Sequence, residues 1–381
     1  MTVLLILFLG IATLLWLSVF GYLLLLASIA SRRRHGERGE PTRPEIAVVI
    51  PTLNDEYLIL PMLAHLRRTD YPHDRMTVVV VDGGSVDRTT ELVRQEIVRG
   101  EEIQLVCLSS TRGWLDQINY VLDRIPQDII VVVKADSILE PSCIERLVNT
   151  LENDPHTGVV GANIQPDSAL LEERIHWRFL NYLWWLEGEV LSSACVSGVC
   201  YAFRREMALP LAQDAQADDI HVALAASARG YRVRICREAH ATEVRVPQSP
   251  GEFVDYRRRR GTGYLSELRC SSLYAHAPVR WRIAYLIRLW HFLVTPKLGV
   301  GLAAAACALL LTPHWPWPLL ALAAFAAPAF AALFASTTLA GDLNRGWRLT
   351  QGASRWLALT WVSLLTLNPH PSVQGPIGGR P

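Results

Sequence analysis

Residues 3–29 form an apolar run without a single charge. As a helix the run reaches about 40 Å, enough to cross a bilayer with some tilt. The basic cluster Arg32-Arg33-Arg34 follows it. A cleaved leader carries its positive charge in front of a shorter apolar core, so the pattern predicts an anchor that is kept. By the positive-inside rule the chain from residue 31 onward is expected in the cytoplasm.

A polar linker with Pro and Gly covers 31–44. Beyond it, short β-branched runs alternate with amphipathic stretches. Strands are expected at 46–50, 76–81, 103–108, 129–133, 159–162, 197–203 and 231–236, and helices at 61–67, 87–99, 115–124, 141–152 and 218–228. The runs 46–50 and 129–133 are apolar throughout, as in strands buried on both faces of a parallel sheet. This alternation predicts an α/β fold built on a doubly wound sheet.

The stretch 175–186 crowds Trp177, Phe179, Tyr182, Trp184 and Trp185 onto one expected helix. Such a helix suits either the lipid headgroup level or a protein core. Toward the C-terminus, 283–293 contains Arg288 and His291 and reads as an interfacial helix. Residues 298–311 are short for a span, while 319–340 are long enough, with Pro328 as a kink point. The two are expected to form a hairpin that leaves Arg345, Arg348 and Arg355 in the cytoplasm, and 356–367 is too short to span. The domain plan is an anchor (1–30), a linker (31–44), a catalytic domain (45–280), interfacial and transmembrane helices (281–370) and a tail (371–381).

Composition narrows the class. Of 381 residues, 50% are hydrophobic, which suits an integral membrane protein. Lys and Arg total 37 against 36 Asp and Glu, so no overall positive field draws nucleic acid. Seven scattered cysteines without a Cys-x-x-Cys pair suggest neither a disulfide framework nor a zinc cluster.

Acidic residues recur where strands end. Pro51-Thr52-Leu53-Asn54-Asp55-Glu56 follows the first strand, Asp82-Gly83-Gly84-Ser85-Val86-Asp87-Arg88-Thr89 the second, and Lys134-Ala135-Asp136 the fourth. Ligands of open α/β sheets bind at such strand ends. A carboxylate there either holds a cation bridging a diphosphate or caps the next helix. Asp218-Asp219 opens a later helix, either as a catalytic pair or as ordinary acids at a helix N-terminus.

In order and spacing these stretches resemble the family 2 inverting glycosyltransferases, over roughly 45–265, with Ser197-Gly198, Phe203-Arg204-Arg205-Glu206 and Gly230-Tyr231 as further points of likeness. The terminal apolar segments resemble membrane members, the polysaccharide synthases and ceramide glucosyltransferase-type enzymes. The resemblance implies a GT-A fold, a nucleotide-sugar donor (a UDP-sugar foremost), Mg²⁺ or Mn²⁺, and a lipid or glycan acceptor at the membrane. It assigns the nucleotide to Pro51, Thr52, Asn54, Asp55, Asp82 and Gly83, the metal to Asp136, and the general base to Asp219. Two departures stand out. Lys134 occupies the first acidic position of the family's Asp-x-Asp motif, beside the diphosphate. Tyr256-Arg257-Arg258-Arg259-Arg260 replaces Gln-x-x-Arg-Trp and keeps only its arginine, Arg259; the run either holds the diphosphate or faces anionic lipid as a juxtamembrane basic patch. Few-step transfer to a lipid is therefore expected over processive synthesis, with a non-catalytic binding protein as the other alternative.

Overall fold

The computed structural model describes residues 2–32, 42–110, 113–208, 217–270, 273–321, 323 and 343–367. Its centre is an eight-stranded sheet in the order β3-β2-β1-β4-β7-β6-β8-β5. The strands are β1 (Ile46–Thr52), β2 (Met76–Asp82), β3 (Ile103–Cys107), β4 (Ile129–Val133), β5 (Ser137–Leu139), β6 (Thr157–Pro166), β7 (Cys200–Arg204) and β8 (Arg232–Glu243). β3, β2, β1 and β4 are parallel neighbours, as expected. Every residue of β1 and β4 is buried, which accounts for their unbroken apolar runs.

Beyond β4 the sheet is mixed, which corrects the doubly wound expectation. β7 runs antiparallel to both β4 and β6, while β8 runs parallel to β6. The reason lies in residues 192–199, which return buried along the sheet. Ser193 N–H donates to Val233 O (2.9 Å) where β8 begins, and Val199 O accepts Lys134 N–H (3.0 Å) where β4 ends. The chain thus enters β7 from the end at which β4 leaves. The short β5, absent from the sequence pattern, pairs antiparallel with the end of β8, Ser137 opposite Glu243.

Helix α7 (Leu171–Val190) lies against β6 and β8 and joins the sheet to the outer helices. Trp177 and Trp184 are 1% and 2% exposed and meet edge to face at 6.1 Å, so these two belong to the core; Tyr182 remains exposed. Three carboxylates of α7, Glu172, Glu173 and Glu187, are fully buried. Each has an arginine from a different helix. Arg257 of α10 (Pro250–Cys270) holds Glu173, and Arg288 of α11 (Val279–Leu293) holds Glu187 at 3.0 Å. Arg355 of the C-terminal helix Leu343–Leu365 holds Glu172 at 2.6 Å. Glu187 also accepts from Tyr22 Oη (3.1 Å) of the N-terminal helix.

That N-terminal helix runs from Thr2 to Arg32 with a π-helical turn at Leu17–Gly21. Among the described residues it alone is long and apolar enough to cross a bilayer by itself. α11 and α12 (Thr295–Leu310) qualify only as one pair, bent by 45° at Val294. The expected span 319–340 lies largely outside the described residues, as do most of the linker and the tail. Residues 356–367, expected as a short separate piece, continue the 23-residue C-terminal helix.

Removing one member of a buried ion pair strands the other charge, at a cost of about 3–5 kcal/mol. Arg288→Met is therefore expected to lower stability by about that amount. Adding Glu187→Gln should recover much of the loss. Thermal or denaturant unfolding of the detergent-held protein measures both; equal stability of the single and double variants would contradict the pairing.

Candidate active site

The loops after β1 and β2 lock together at the carboxyl ends of their strands. Asn54 N–H donates to Ser85 Oγ (2.9 Å), and Asn54 Oδ1 accepts Val86 N–H (3.0 Å). Asp55 N–H donates to Thr89 Oγ1 (2.8 Å) and Glu56 N–H to Asp87 Oδ2 (3.1 Å). Two backbones are left-handed here, Asn54 (φ 56°) and Gly84 (φ 95°). A Cβ on Gly84 would lie 3.2 Å from Ser109 O, so the glycine serves both the turn and the close approach.

Asp82 is 2% exposed and accepts Gly84 and Ser85 N–H at 3.0 and 2.9 Å, with the Ser85 hydroxyl on its other oxygen. Thr52 is buried beneath the loops, its carbonyl accepting Gly83 N–H and Gln117 Nε2, both at 2.9 Å. Pro51 precedes it in β1. Asp55 pairs with Arg245 at 2.7 Å. Burial is the chief influence on Asp55 and pushes its carboxyl above the ordinary range; Arg245 opposes this and Asp136 adds to it.

Across the crevice, Lys134 Nζ lies 3.4 Å over the ring of Trp114, a cation–π contact at the start of α5 (Trp114–Leu122). Asp136 sits where β4 passes into β5, and its backbone carbonyl accepts Val244 N–H at 3.0 Å. This brings Glu243 beside it, an acid that the sequence reading missed. Asp136 Oδ1 and Glu243 Oε2 are both buried without a hydrogen-bond partner. Burial, above all, raises the Glu243 carboxyl; Arg260 opposes, and Asp136 raises it further. Two unsatisfied carboxylate oxygens that repel each other suit a bound cation. Among the described residues, no group of three or more His, Cys, Asp or Glu side chains is arranged to hold a metal.

Glu243 leads on to the proposed base. Tyr256 Oη donates to Glu243 Oε1 (2.8 Å), and Arg260 reaches Glu243 at 3.7 Å and Asp219 at 3.4 Å. Tyr264 Oη donates to Asp219 Oδ2 at 2.9 Å. Burial, with the Asp219 carboxylate next, pushes the Tyr264 phenol well above its ordinary value, so it remains a donor. Asp219 is 3% exposed near the start of α9 (Asp218–Ala228); the side chain of Asp218 lies outside the described set. Tyr256, Arg260 and Tyr264 follow at four-residue spacing on one face of α10, a signal present in the sequence. Arg259 is exposed, its guanidinium 5.4 Å from the ring centre of Tyr256, while Arg260 is the arginine that reaches the acids. One residue is 100° of helix, which an unbroken arginine run does not reveal.

A cavity of about 100 Å³ opens from this group, roofed by α7, α10, α11 and the C-terminal helix. Arg260 and Tyr264, both partners of Asp219, line it together with Trp177, Trp184, Leu268 and Phe292.

The sequence pattern of glycosyl transferase family 2 matches residues 47–237, the span from β1 into β8. The chain belongs to this family, and it is a glycosyltransferase. It is 27% identical over 203 residues to the Probable glycosyltransferase YdaM of Bacillus subtilis, covering 50% of this chain and 48% of that protein. It is 22% identical over 197 residues to a poly-beta-1,6-N-acetyl-D-glucosamine synthase of Staphylococcus aureus, covering 50% and 47%. The chain thus spans about half the length of these curated relatives. The solved mannosyltransferase PcManGT from Pyrobaculum calidifontis, in complex with GDP-Man and Mn²⁺, shares the glycosyltransferase's fold at TM-score 0.67 and 25% identity. That similarity covers 94% of this chain and 98% of the other.

The raised Glu243 carboxyl has a sign that can be checked. Its contribution to stability is full below the ordinary value of 4.5 and is lost as pH rises through the higher folded value. Glu243→Gln is accordingly expected to melt above the wild type at pH 8, with the gap closing as the pH falls below 4.5. A gap that does not change with pH would mean that Glu243 carries no such penalty.

Proposed function

We propose that this glycosyltransferase moves a sugar from a nucleoside diphosphate donor to a membrane-lipid acceptor, with inversion at the anomeric carbon. The observation that carries this reading is the continuous group Asp136–Glu243–Arg260–Asp219. It has donor loops at one end and a largely apolar cavity at the other. On the donor side, Asp55 and Asp82 contact base and ribose within the walls formed by Pro51, Thr52, Asn54 and Gly83. Lys134 and Arg260 supply positive charge to the diphosphate. Asp136 and Glu243 are the residues that would hold a divalent cation, Mg²⁺ or Mn²⁺, with donor oxygens completing its shell; one or two carboxylates plus phosphates are the usual Mg²⁺ arrangement. When bound, that ion neutralises charge on the leaving diphosphate.

Asp219 takes the proton from the acceptor hydroxyl as the hydroxyl oxygen attacks the anomeric carbon from the face opposite the diphosphate. Tyr264 and Arg260 fix the position of its carboxylate. The cavity beside it takes the apolar part of the acceptor. UDP-sugars are the first donor class to test, and GDP-mannose, the donor present in the PcManGT complex, the second.

The membrane part of the reading draws on the helix Thr2–Arg32. Its Ile6, Leu7, Leu24 and Leu25 are more than half exposed on the protein, as a bilayer-facing surface would be. With Arg32 at its inner end, the domain plan of anchor, cytoplasmic catalytic domain (45–280) and membrane-associated helices (281–370) follows.

The experiment is donor-dependent nucleotide release by the nanodisc-held protein, with and without lipid extract. Release that depends on lipid supports the acceptor assignment; release unaffected by lipid but elongating a glycan would replace it. Asp219→Asn should cut transfer by about 10²–10⁴-fold with nucleotide affinity nearly unchanged. Loss of nucleotide binding in a folded Asp219→Asn protein would remove the base assignment. Lys134→Asp should make activity depend more steeply on added Mg²⁺ or Mn²⁺, and an unchanged metal titration would sink the role given to Lys134.

A further inference from the structure

A second cavity, of about 360 Å³, shares only Trp177 with the lining of the first. β6 runs past its neighbour, since β7 pairs with it only as far as Gly161. The edge at Ile164, which β7 leaves unpaired, is closed by Asn181 of α7, which accepts Ile164 N–H (3.2 Å) and donates to Ile164 O (2.7 Å). On the other side the register jumps from Ala162↔Cys236 to Asn163↔His240, a bulge that carries Arg237. The cavity occupies the space between this bulge, β6 and α7.

Three guanidiniums line it: Arg174 and Arg178, one turn apart on α7, and Arg237. Among the described residues none of the three has a carboxylate partner, whereas Arg232, Arg234, Arg257 and Arg288 nearby all do. Arg237 lies instead over the ring of Trp185, at 4.6 Å. The amides of the lining are already used: Asn163 donates to Arg237 O (2.9 Å) and Gln165 meets His240 Nδ1 (3.2 Å). Trp177 also lines the cavity, is 1% exposed, and its indole N–H has no acceptor. The cavity therefore offers three guanidiniums with no acid among its lining residues.

We infer that this cavity binds a phosphoryl group. Guanidiniums match phosphate oxygens with paired donors, and a concave wall of one charge concentrates the field. The source is argued from what adjoins it. Leu183 and Leu186, on the same helix, pack on Tyr22, Leu26 and Ala30 of the N-terminal apolar helix. Tyr182 and Trp185 stand at this level, Tyr182 exposed. A phospholipid headgroup beside the anchor's inner half meets that description. The lipid source rests on the membrane reading above; the phosphoryl chemistry rests on the cavity alone.

The test uses the full-length protein in detergent, native mass spectrometry, and three probes: phosphatidic acid, phosphatidylcholine and inorganic phosphate. The comparison protein carries Arg174→Gln, Arg178→Gln and Arg237→Gln. The expected result is retention of phosphatidic acid over phosphatidylcholine by the wild type and a tenfold or greater loss in the triple variant. The melting temperature without added ligand should stay at the wild-type value, which shows that the variant is folded. Arg178→Gln alone, with a several-fold loss, replaces the triple variant if that one does not fold. Inorganic phosphate raising the melting temperature of the wild type only, without lipid retention, would support the site and assign it to a soluble anion. Equal retention of phosphatidic acid by wild type and variant, or binding of neither anion by the wild type, overturns the inference. None of these outcomes depends on which donor or acceptor the enzyme uses.

Discussion

The architecture depends on three carboxylates that water never reaches. Glu172, Glu173 and Glu187 are buried on one side of the sheet, and each is neutralised by an arginine from a different helix. A charge in such a place is tolerated only with a partner in good geometry. α7 therefore fixes where α10, α11 and the C-terminal helix stand, and Tyr22 adds the N-terminal helix to the same set. The largely apolar cavity lies among these helices, with Arg257 and Arg288, two of the three paired arginines, in its lining.

Charge organises the reacting end in a related way. Arg260 is shared between Glu243 and Asp219, so the residues assigned to donor and acceptor are electrostatically one unit. Arg257, three residues earlier on α10, faces Glu173. Successive turns of one helix thus serve the frame and the chemistry, and a change in the angle of α10 would be felt by both.

Much of this was legible beforehand. The apolar runs of β1 and β4, the acids that follow β1, β2 and β4, and the helix opening at Asp218 are local features, and periodicity reads local features well. Glu243 was hidden because its significance comes from Asp136, more than a hundred positions away, through the pairing of the three-residue β5 with β8. Four consecutive arginines carry no phase of their own, so the contact of Arg260 with both Glu243 and Asp219 was not legible in the run. The aromatic cluster of α7 was ambiguous for a different reason: lipid headgroups and protein cores both accept tryptophan, and burial alone distinguishes them. The reversal of β7 depends on the path of residues 192–199, which has no periodicity to read.

That path has a consequence for how the enzyme can diversify. Ala194 and Cys195 line the cavity beneath the outer helices, and a few residues later Val199 O holds both Lys134 N–H and Ser137 Oγ at 3.0 Å. The intervening residues are buried throughout, so the segment behaves as a strut with one end at the cavity and the other at Lys134. Substitutions that enlarge or reshape the cavity at 194 or 195 shift the strut, and the lysine at its far end shifts with it. Under the proposed roles, acceptor range and donor grip are then inherited together.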